Sequence, residues 1–471
     1  MSTDCTATQL ELQGFGRRKL VAEFDGGRIS SDGGLPLLAA VEQRRQLISR
    51  FARCFTDVRD SRWVEHSVEE LVGQRVLGLA LGYEDLVDHD ELRTDPLLAA
   101  VVGRRDLTGE KRSKARDRGK PLAGKSTLHR LEAGALGEDD AYRKITVDPK
   151  AVDAFFVEAF LDAFESPPER IILDLDATDD PLHGTQEGRF FHGYYRHYCY
   201  LPLYIFCGDH LLCARLRTSN RDASAGSLEE IRRIVAQIRT AWPEVEIWLR
   251  ADSGFARDPL MAWCEDQEGV EYVFGMARNP RLQAALEGAF EGLEALRGAS
   301  GEPVRVYEDF RYSTRESWTR ERRIIGKAEI THEKKNPRFV VTSLPAEAFD
   351  AATVYETLYC ARGEMENRIK EQLSLFADRT SAHWMKVNQL RLWFSSVAYM
   401  LVSELRRLGL AGTEMGRAQC GTIRLKLLKI GARIRVSVRR IQVSLASGHP
   451  YQAPFRQAWH RLARAGPPVP A

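Results

Sequence analysis

RIILDLD (170–176), then YCYLPLYIF (198–206) and LLCARLR (211–217), is the stretch of sequence that decides the fold. Each run is short, apolar and rich in branched or aromatic side chains, so each predicts a strand. A helical pattern follows at SLEEIRRIVAQIRTAW (227–242), then a strand at VEIWLRAD (245–252), a helix near 258–266 and a strand at EYVFGM (271–276). Three neighbouring strands and then alternating helix and strand predict a mixed sheet with helices packed on it, an α/β class. Two of the strands end in carboxylates: Asp174 and Asp176 close the first, and Asp252 closes VEIWLRAD. Ligand sites of open α/β sheets gather at that C-terminal edge.

Downstream, residues 302–345 are again strand-like, with RVYEDFRYS, RRIIGKAEI and RFVVTSL divided by polar turns. A long helical pattern runs from Ala346 to about Phe376, and more helix is expected over 386–408. At 100° per residue, Tyr359, Arg362, Glu366 and Lys370 fall on one stripe about 80° wide, beside an apolar stripe of Val354, Leu358, Ala361, Met365, Ile369 and Phe376. Such a helix buries one side and presents a carboxylate flanked by cations along its margin.

Upstream, residues 1 to about 100 read as helical, clearly so at SVEELVGQRVLGLAL (67–81). RRDLTGEKRSKARDRGKPLAGKS (104–126) is basic and poor in apolar residues, as expected of a linker. From Met415 to Ala471 there is no acidic residue against eleven Lys or Arg, and RIRVSVR (433–439) alternates basic with apolar, so a strand there has one face of each kind. Arg433, Arg435 and Arg439 are therefore candidate contacts for a polyanion.

The composition excludes several classes. Of 471 residues, 44% are hydrophobic and 28% charged, with a formal net charge of +2, so attraction to a polyanion must come from local clusters. The N-terminus lacks the pattern of a secretory signal. No window approaches the roughly 18 uninterrupted apolar residues of a membrane span. Eight cysteines without a CxxC pair read as reduced thiols of a cytoplasmic protein rather than disulfides or a zinc site.

Three hard oxygen ligands suit Mg²⁺ or Mn²⁺, and two such ions about 4 Å apart can drive an in-line phosphoryl displacement. The bland alternatives are that a strand-end Asp caps a turn and that a Tyr, Arg, Glu and Lys stripe is a solvated face. Gly119-Lys-Pro-Leu-Ala-Gly124-Lys125-Ser126 matches the G-x4-G-K-S phosphate loop in letters. That loop works only behind a buried strand, and EKRSKARDR cannot be one, so no nucleotide is expected. RFFHGYYRHY (189–198) interleaves aromatic and basic residues, either to stack on bases or to fill the core of a hairpin.

In combination, LDLDATDDPLHGTQEGRFFHGYY (173–195), RADSGF (250–255) and YCARGEMENRIKEQ (359–372) resemble the DDE transposases of bacterial insertion sequences. The likeness is to the group with a Tyr-x2-Arg-x3-Glu motif, and within it to the branch called IS thirteen-eighty. QRVLGLALGYEDLVDHDELRTDP (74–96) and the basic C-terminal region extend it. The resemblance implies a ribonuclease H-like catalytic core in which Asp176, Asp252 and Glu366 bind two Mg²⁺ (or Mn²⁺) ions. The Lys this family carries seven residues after the Glu is Leu373 here, which passes its phosphate-contacting role to Lys370, with Tyr359 and Arg362 beside it. The interval of 114 residues between Asp252 and Glu366 matches the β-rich insertion of the group.

The layout that follows is a helical N-terminal DNA-binding domain (1–103), a basic linker (104–126), a helical connector (127–165), a first core segment (166–290), the insertion (291–345), a second core segment with the Glu (346–410) and a basic C-terminal region (411–471). The implied activity is cut-and-paste transposition: binding terminal inverted repeats, cleaving the element ends, in related members through a hairpin, and joining them to target DNA. A homodimer bridging two ends is implied, associated with the nucleoid. A nuclease without strand transfer and a DNA-binding relic are the competing classes.

Overall fold

Period-two alternation sets up the central sheet. In the computed structural model, which describes residues 9–15, 18–136, 144–297, 302–331 and 334–464, eight strands form one path: β1 (Arg170–Ala177), β2 (Leu203–Cys207), β3 (His210–Arg215), β4 (Glu246–Ala251), β5 (Val270–Met276), β6 (Val304–Tyr312), β7 (Arg322–Thr331) and β8 (Arg338–Thr342). Their order is 3-2-1-4-5-8-7-6, and Lys334–Lys335 pairs off β7 as a ninth strand. β2 runs antiparallel to β1 and β3, whereas β4 runs parallel to β1 and β5. β8 is antiparallel to β5 and β7, and β6 is antiparallel to β7. The strands at 302–345, expected as an insertion, thus continue the main sheet beyond β5.

Alternate residues of each strand serve opposite faces. Ile171, Leu173 and Leu175 of β1 and Ile247, Leu249 and Ala251 of β4 pack on one side with Ile231, Ile234, Val235 and Ile238 of the helix Ser227–Ala241, whose spacing of three and four makes one apolar stripe. On the other side, Ile172, Trp248, Val273, Ile325 and Val340 meet Val354, Tyr355 and Leu358 of the segment leading to Glu366. Asp174 and Asp176 share this second face with Ile172.

Two local readings change. The run 198–206, expected as one strand, divides at Pro202: His197–Tyr200 pairs with Phe190–His192, and Leu203–Cys207 joins the main sheet. Proline has no N–H to give a ladder, so the break falls there. The helix expected from Ala346 begins near Ala351 and is not uniform: Thr353–Tyr359 is a π-helical turn, Cys360–Arg362 a 3₁₀ turn, and Gly363–Ser374 α-helix.

Contacts divide the chain into two units, Met1–Gly134 with Asp140–Thr146 and Val397–Ala471, and Ala135–Asp139 with Val147–Ser396, which holds the sheet described above. In the first unit, Val68–Leu81 is helical as expected, with Ser67 and Glu70 in a reciprocal capping box and Gly82 at φ 94° ending it. The N-terminal part is not all helix, since Leu10–Phe15 pairs with Arg18–Ala22. Nor is 411–471 a separate region. Ala432–Val436 lies between Ile441–Leu445 and Arg28–Ser30 in a three-stranded sheet, with Ala432 and Ile434 buried.

The stretch 104–126 is folded within this unit rather than being a linker. Its charges are matched in place of apolar packing: Arg104 lies 3.0 Å from Glu70, Arg112 2.6 Å from Glu65, and Arg93 2.8 Å from Asp117. Leu122 and Ala123 are buried. A 3₁₀ turn, Ala115–Asp117, enters the G-x4-G-K-S segment instead of a strand. Asp90 already accepts the N–H of Lys125 at the start of the helix Lys125–Ala133.

The seven described cysteines carry free thiols, five of them buried; Cys5 lies outside the described residues. Among the described residues no helix is long and apolar enough to cross a membrane.

Candidate active site

The register of two parallel strands builds the site. β4 pairs with β1 as Arg250↔Asp174 and Ala251↔Leu175, so the next residue, Asp252, arrives beside Asp176 at the C-terminal edge. The two Asp of β1 then part company. Asp174 is buried and accepts two hydrogen bonds from Arg250, Nε at 2.5 Å and Nη2 at 2.8 Å. The remaining nitrogen of Arg250 donates to the Leu358 carbonyl at 2.7 Å, tying the sheet to the segment above it. Asp174 is thereby spent on structure, and Asp176 faces a cleft of about 680 Å³ together with Asp252 and Glu366.

Burial, with Asp252 and Glu366 adding like charge, pushes the Asp176 carboxyl up to about 6 against the pull of Arg362. Arg362 stands between the acids, Nη1 at 3.4 Å from Asp176 and Nη2 at 3.2 Å from Glu366. Asp252 accepts the N–H of Gly254 at 2.8 Å, which fixes the turn after β4. Glu366 is half-exposed in the first turn of Gly363–Ser374, with Ile369, Lys370 and Leu373 continuing its cleft-lining stripe. Leu373 thus occupies cleft wall without a charge, and Lys370 is the exposed cation one turn from Glu366.

A π-helical turn ends at Tyr359 and a 3₁₀ turn separates it from the α-helix that carries Glu366, and its side chain still meets Arg362 near Asp252. A Cβ built on Gly275 of β5 would stand 2.5 Å from the Tyr359 hydroxyl and 2.9 Å from the Ser253 nitrogen, so only glycine lets this ring support the Asp252 turn. Neither Arg250 nor Gly275 figured among the candidates. The alternation LDLD against WLRAD carried the signal for Arg250, and nothing in the sequence carried it for Gly275.

Arg433 and Arg435 lie on Ala432–Val436 in the first unit, exposed on the face opposite Ala432 and Ile434, and Arg439 is exposed in the turn after that strand. The structure does not bring them together with the carboxylates within one unit. Among the described residues no group of three or more His, Cys, Asp or Glu is placed to hold a metal ion as it stands. In the cleft the Arg362 guanidinium supplies the positive charge between Asp176 and Glu366. The donors themselves, carboxylates alone with like-charge strain at Asp176, are those of a hard divalent cation.

A carboxylate-lined cleft at the edge of a mixed α/β sheet, rimmed by arginine and lysine, suits phosphoryl transfer on a polyanion. The sequence model of the family "Transposase DDE domain group 1" matches residues 12–467. The chain belongs to this family and is a DDE transposase, an enzyme that cleaves DNA and transfers its strands. Such domains use divalent metal ions. No curated protein matches the chain. Among solved structures, the piggyBac transposase synaptic complex with hairpin DNA is similar at 11% identity and a TM-score of 0.40, over 83% of this chain and 80% of that one.

Proposed function

We propose that the protein binds the terminal inverted repeats of a bacterial insertion sequence as a dimer, cuts the element ends and joins them to target DNA. The observation that carries this reading is the pairing of Asp176 with Asp252 at the edge of β1 and β4, with Glu366 joined to Asp176 through Arg362. The strand order 3-2-1-4-5, antiparallel among the first three and parallel among 1, 4 and 5, supports a ribonuclease H-like core. The Tyr-x2-Arg-x3-Glu motif supports the IS thirteen-eighty branch and, with it, a hairpin intermediate.

Asp176, Asp252 and Glu366 would hold two Mg²⁺ (or Mn²⁺) ions, which would supply activation of the attacking oxygen and stabilisation of the leaving oxygen. Arg362 gives up its place between the acids and turns its guanidinium to the DNA phosphate, for which its fork is suited. Lys370 steadies the strand from the same helix face, and Tyr359 keeps the Asp252 turn in position. Arg433, Arg435 and Arg439 hold phosphates in sequence-independent fashion.

A plasmid carrying the DNA that flanks the gene tests the reading. Mg²⁺-dependent cuts at matched inverted repeats, followed by joining to a second plasmid, are expected. Cuts without joined products would reduce the enzyme to a nuclease.

A further inference from the structure

The hairpin that follows β1 divides its aromatic residues sharply. At its base Cys199 and Tyr200 are fully buried, and the Tyr200 hydroxyl donates to the Glu187 carbonyl at 2.5 Å. Phe190, Phe191, Tyr194 and Tyr198 are instead exposed by 41, 56, 83 and 42%. The turn between the strands is closed by the Arg196 N–H donating to the His192 carbonyl at 2.8 Å, with Arg196 at φ 59°. Beneath the tip, Tyr195 packs on His192 and on Tyr194 with ring centroids 4.8 and 5.1 Å away. His197 is anchored to Asp179 at 2.8 Å. The tip is therefore braced from below, and Tyr194 at its summit is largely exposed.

Its place matters more than its exposure. His192, Tyr194 and Tyr195 line the same cleft as Asp176, Asp252 and Glu366. Arg189 lies over the Tyr198 ring at 3.7 Å, so the hairpin carries cations among its aromatics, the composition of surfaces that take unpaired nucleotides. A paired duplex hides the faces of its bases, and only a base out of the stack can offer one.

We infer that Tyr194 is a positioning residue that stacks on an unpaired base of the DNA end held at the carboxylates, making the cleft selective for a locally unpaired end over intact duplex. This rests on the reading of the cleft as the site of DNA cleavage. Stacking one base on an aromatic ring changes affinity by roughly 5- to 150-fold.

The test is fluorescence anisotropy in EDTA, where no cleavage occurs, with a blunt duplex and the same duplex carrying a three-nucleotide unpaired 3′ overhang. The wild type should prefer the overhang at least fivefold. Tyr194→Ala should erase the preference while leaving blunt-duplex affinity unchanged, and Tyr194→Trp should keep it. 2-Aminopurine in the overhang should be quenched by the wild type and by Tyr194→Trp, but not by Tyr194→Ala. No preference in the wild type, or a preference that survives Tyr194→Ala, overturns the inference. Cleavage of element ends is read separately, so a protein that cuts but shows no overhang preference loses the stacking role alone.

Discussion

Replacing Asp176 by Asn should make the metal-free protein more stable while abolishing its cleavage. Burial, helped by Asp252 and Glu366, lifts the Asp176 carboxyl from 3.8 to about 6 in the folded protein. A rise of about 2 units corresponds to roughly 3 kcal/mol between the two protonation states. Because the folded form holds this proton more tightly than the unfolded chain, the stability contribution is complete below about pH 3.8 and is lost as the pH climbs through about 6. At pH 7.5 the ionised carboxylate therefore costs the second unit about 3 kcal/mol, a cost that the neutral, similarly shaped Asn avoids. Urea unfolding in EDTA should find the two proteins equally stable near pH 4 and the Asn variant ahead by about 2–3 kcal/mol at pH 7.5. For a unit of about 250 residues, that is roughly 5–10 °C in Tm. Millimolar Mg²⁺ should stabilise the wild type and leave the variant unmoved, since the ion needs the charge. An Asn variant no more stable than wild type in EDTA would refute the account of a carboxylate strained by burial and by its like-charged neighbours. One that nicks element ends at near wild-type rate would remove Asp176 from the chemistry.

Asp174→Asn should behave in the opposite way: it strands Arg250 in the interior, costs about 3–5 kcal/mol in urea unfolding, and leaves the folded fraction able to cleave. If it abolishes cleavage in fully folded protein, the division of roles between the two Asp is wrong. Gly275→Ala forces a methyl group against the Tyr359 hydroxyl and should slow cleavage at least tenfold at unchanged DNA affinity; a wild-type rate would show that the Asp252 turn does not depend on this contact. Arg433→Ala with Arg435→Ala should reduce the slope of log affinity against log salt by about 2, near 0.9 per lost phosphate contact, and an unaltered slope would place DNA elsewhere. Point substitutions are the proper probe there, because ending the chain near Glu414 would remove the strands Ala432–Val436 and Ile441–Leu445 and the helix Gln452–Arg464 from the first unit.

Sequence periodicity was a good guide wherever a residue's fate depends on its own strand or helix. The ends of β1 and β4 and the cleft-facing run of Arg362, Glu366 and Lys370 were legible in that way. What depends on a neighbour was not. Asp174 and Asp176 are indistinguishable along β1, and only the pairing of Arg250 opposite Asp174 separates them. A wheel at a constant 100° per residue could not anticipate the π and 3₁₀ turns that lie between Tyr359 and the helix of Glu366. The stretch 104–126 read as a linker because apolar content was the criterion, whereas its order comes from Arg–carboxylate pairs whose partners, Glu65 and Glu70 among them, lie far back in the chain. The apolar face of Ala432–Val436 was foreseen, but not the strand that pairs with it.

That pairing fixes an order of events at the ribosome. Ala432 pairs with Ser30, 402 positions earlier, so the first unit cannot close until nearly the whole chain has been made. At about 5–20 residues per second, its N-terminal portion waits roughly 20–80 s for its missing strand. The segment Val147–Ser396, which holds all three carboxylates, lies in the second unit and has left the ribosome before that strand is made. Each nascent chain thus passes through an interval in which the segment carrying the three carboxylates has been made but the basic strand of the first unit has not, and a message broken between the codons for Ser396 and Ala432 would leave its product there permanently.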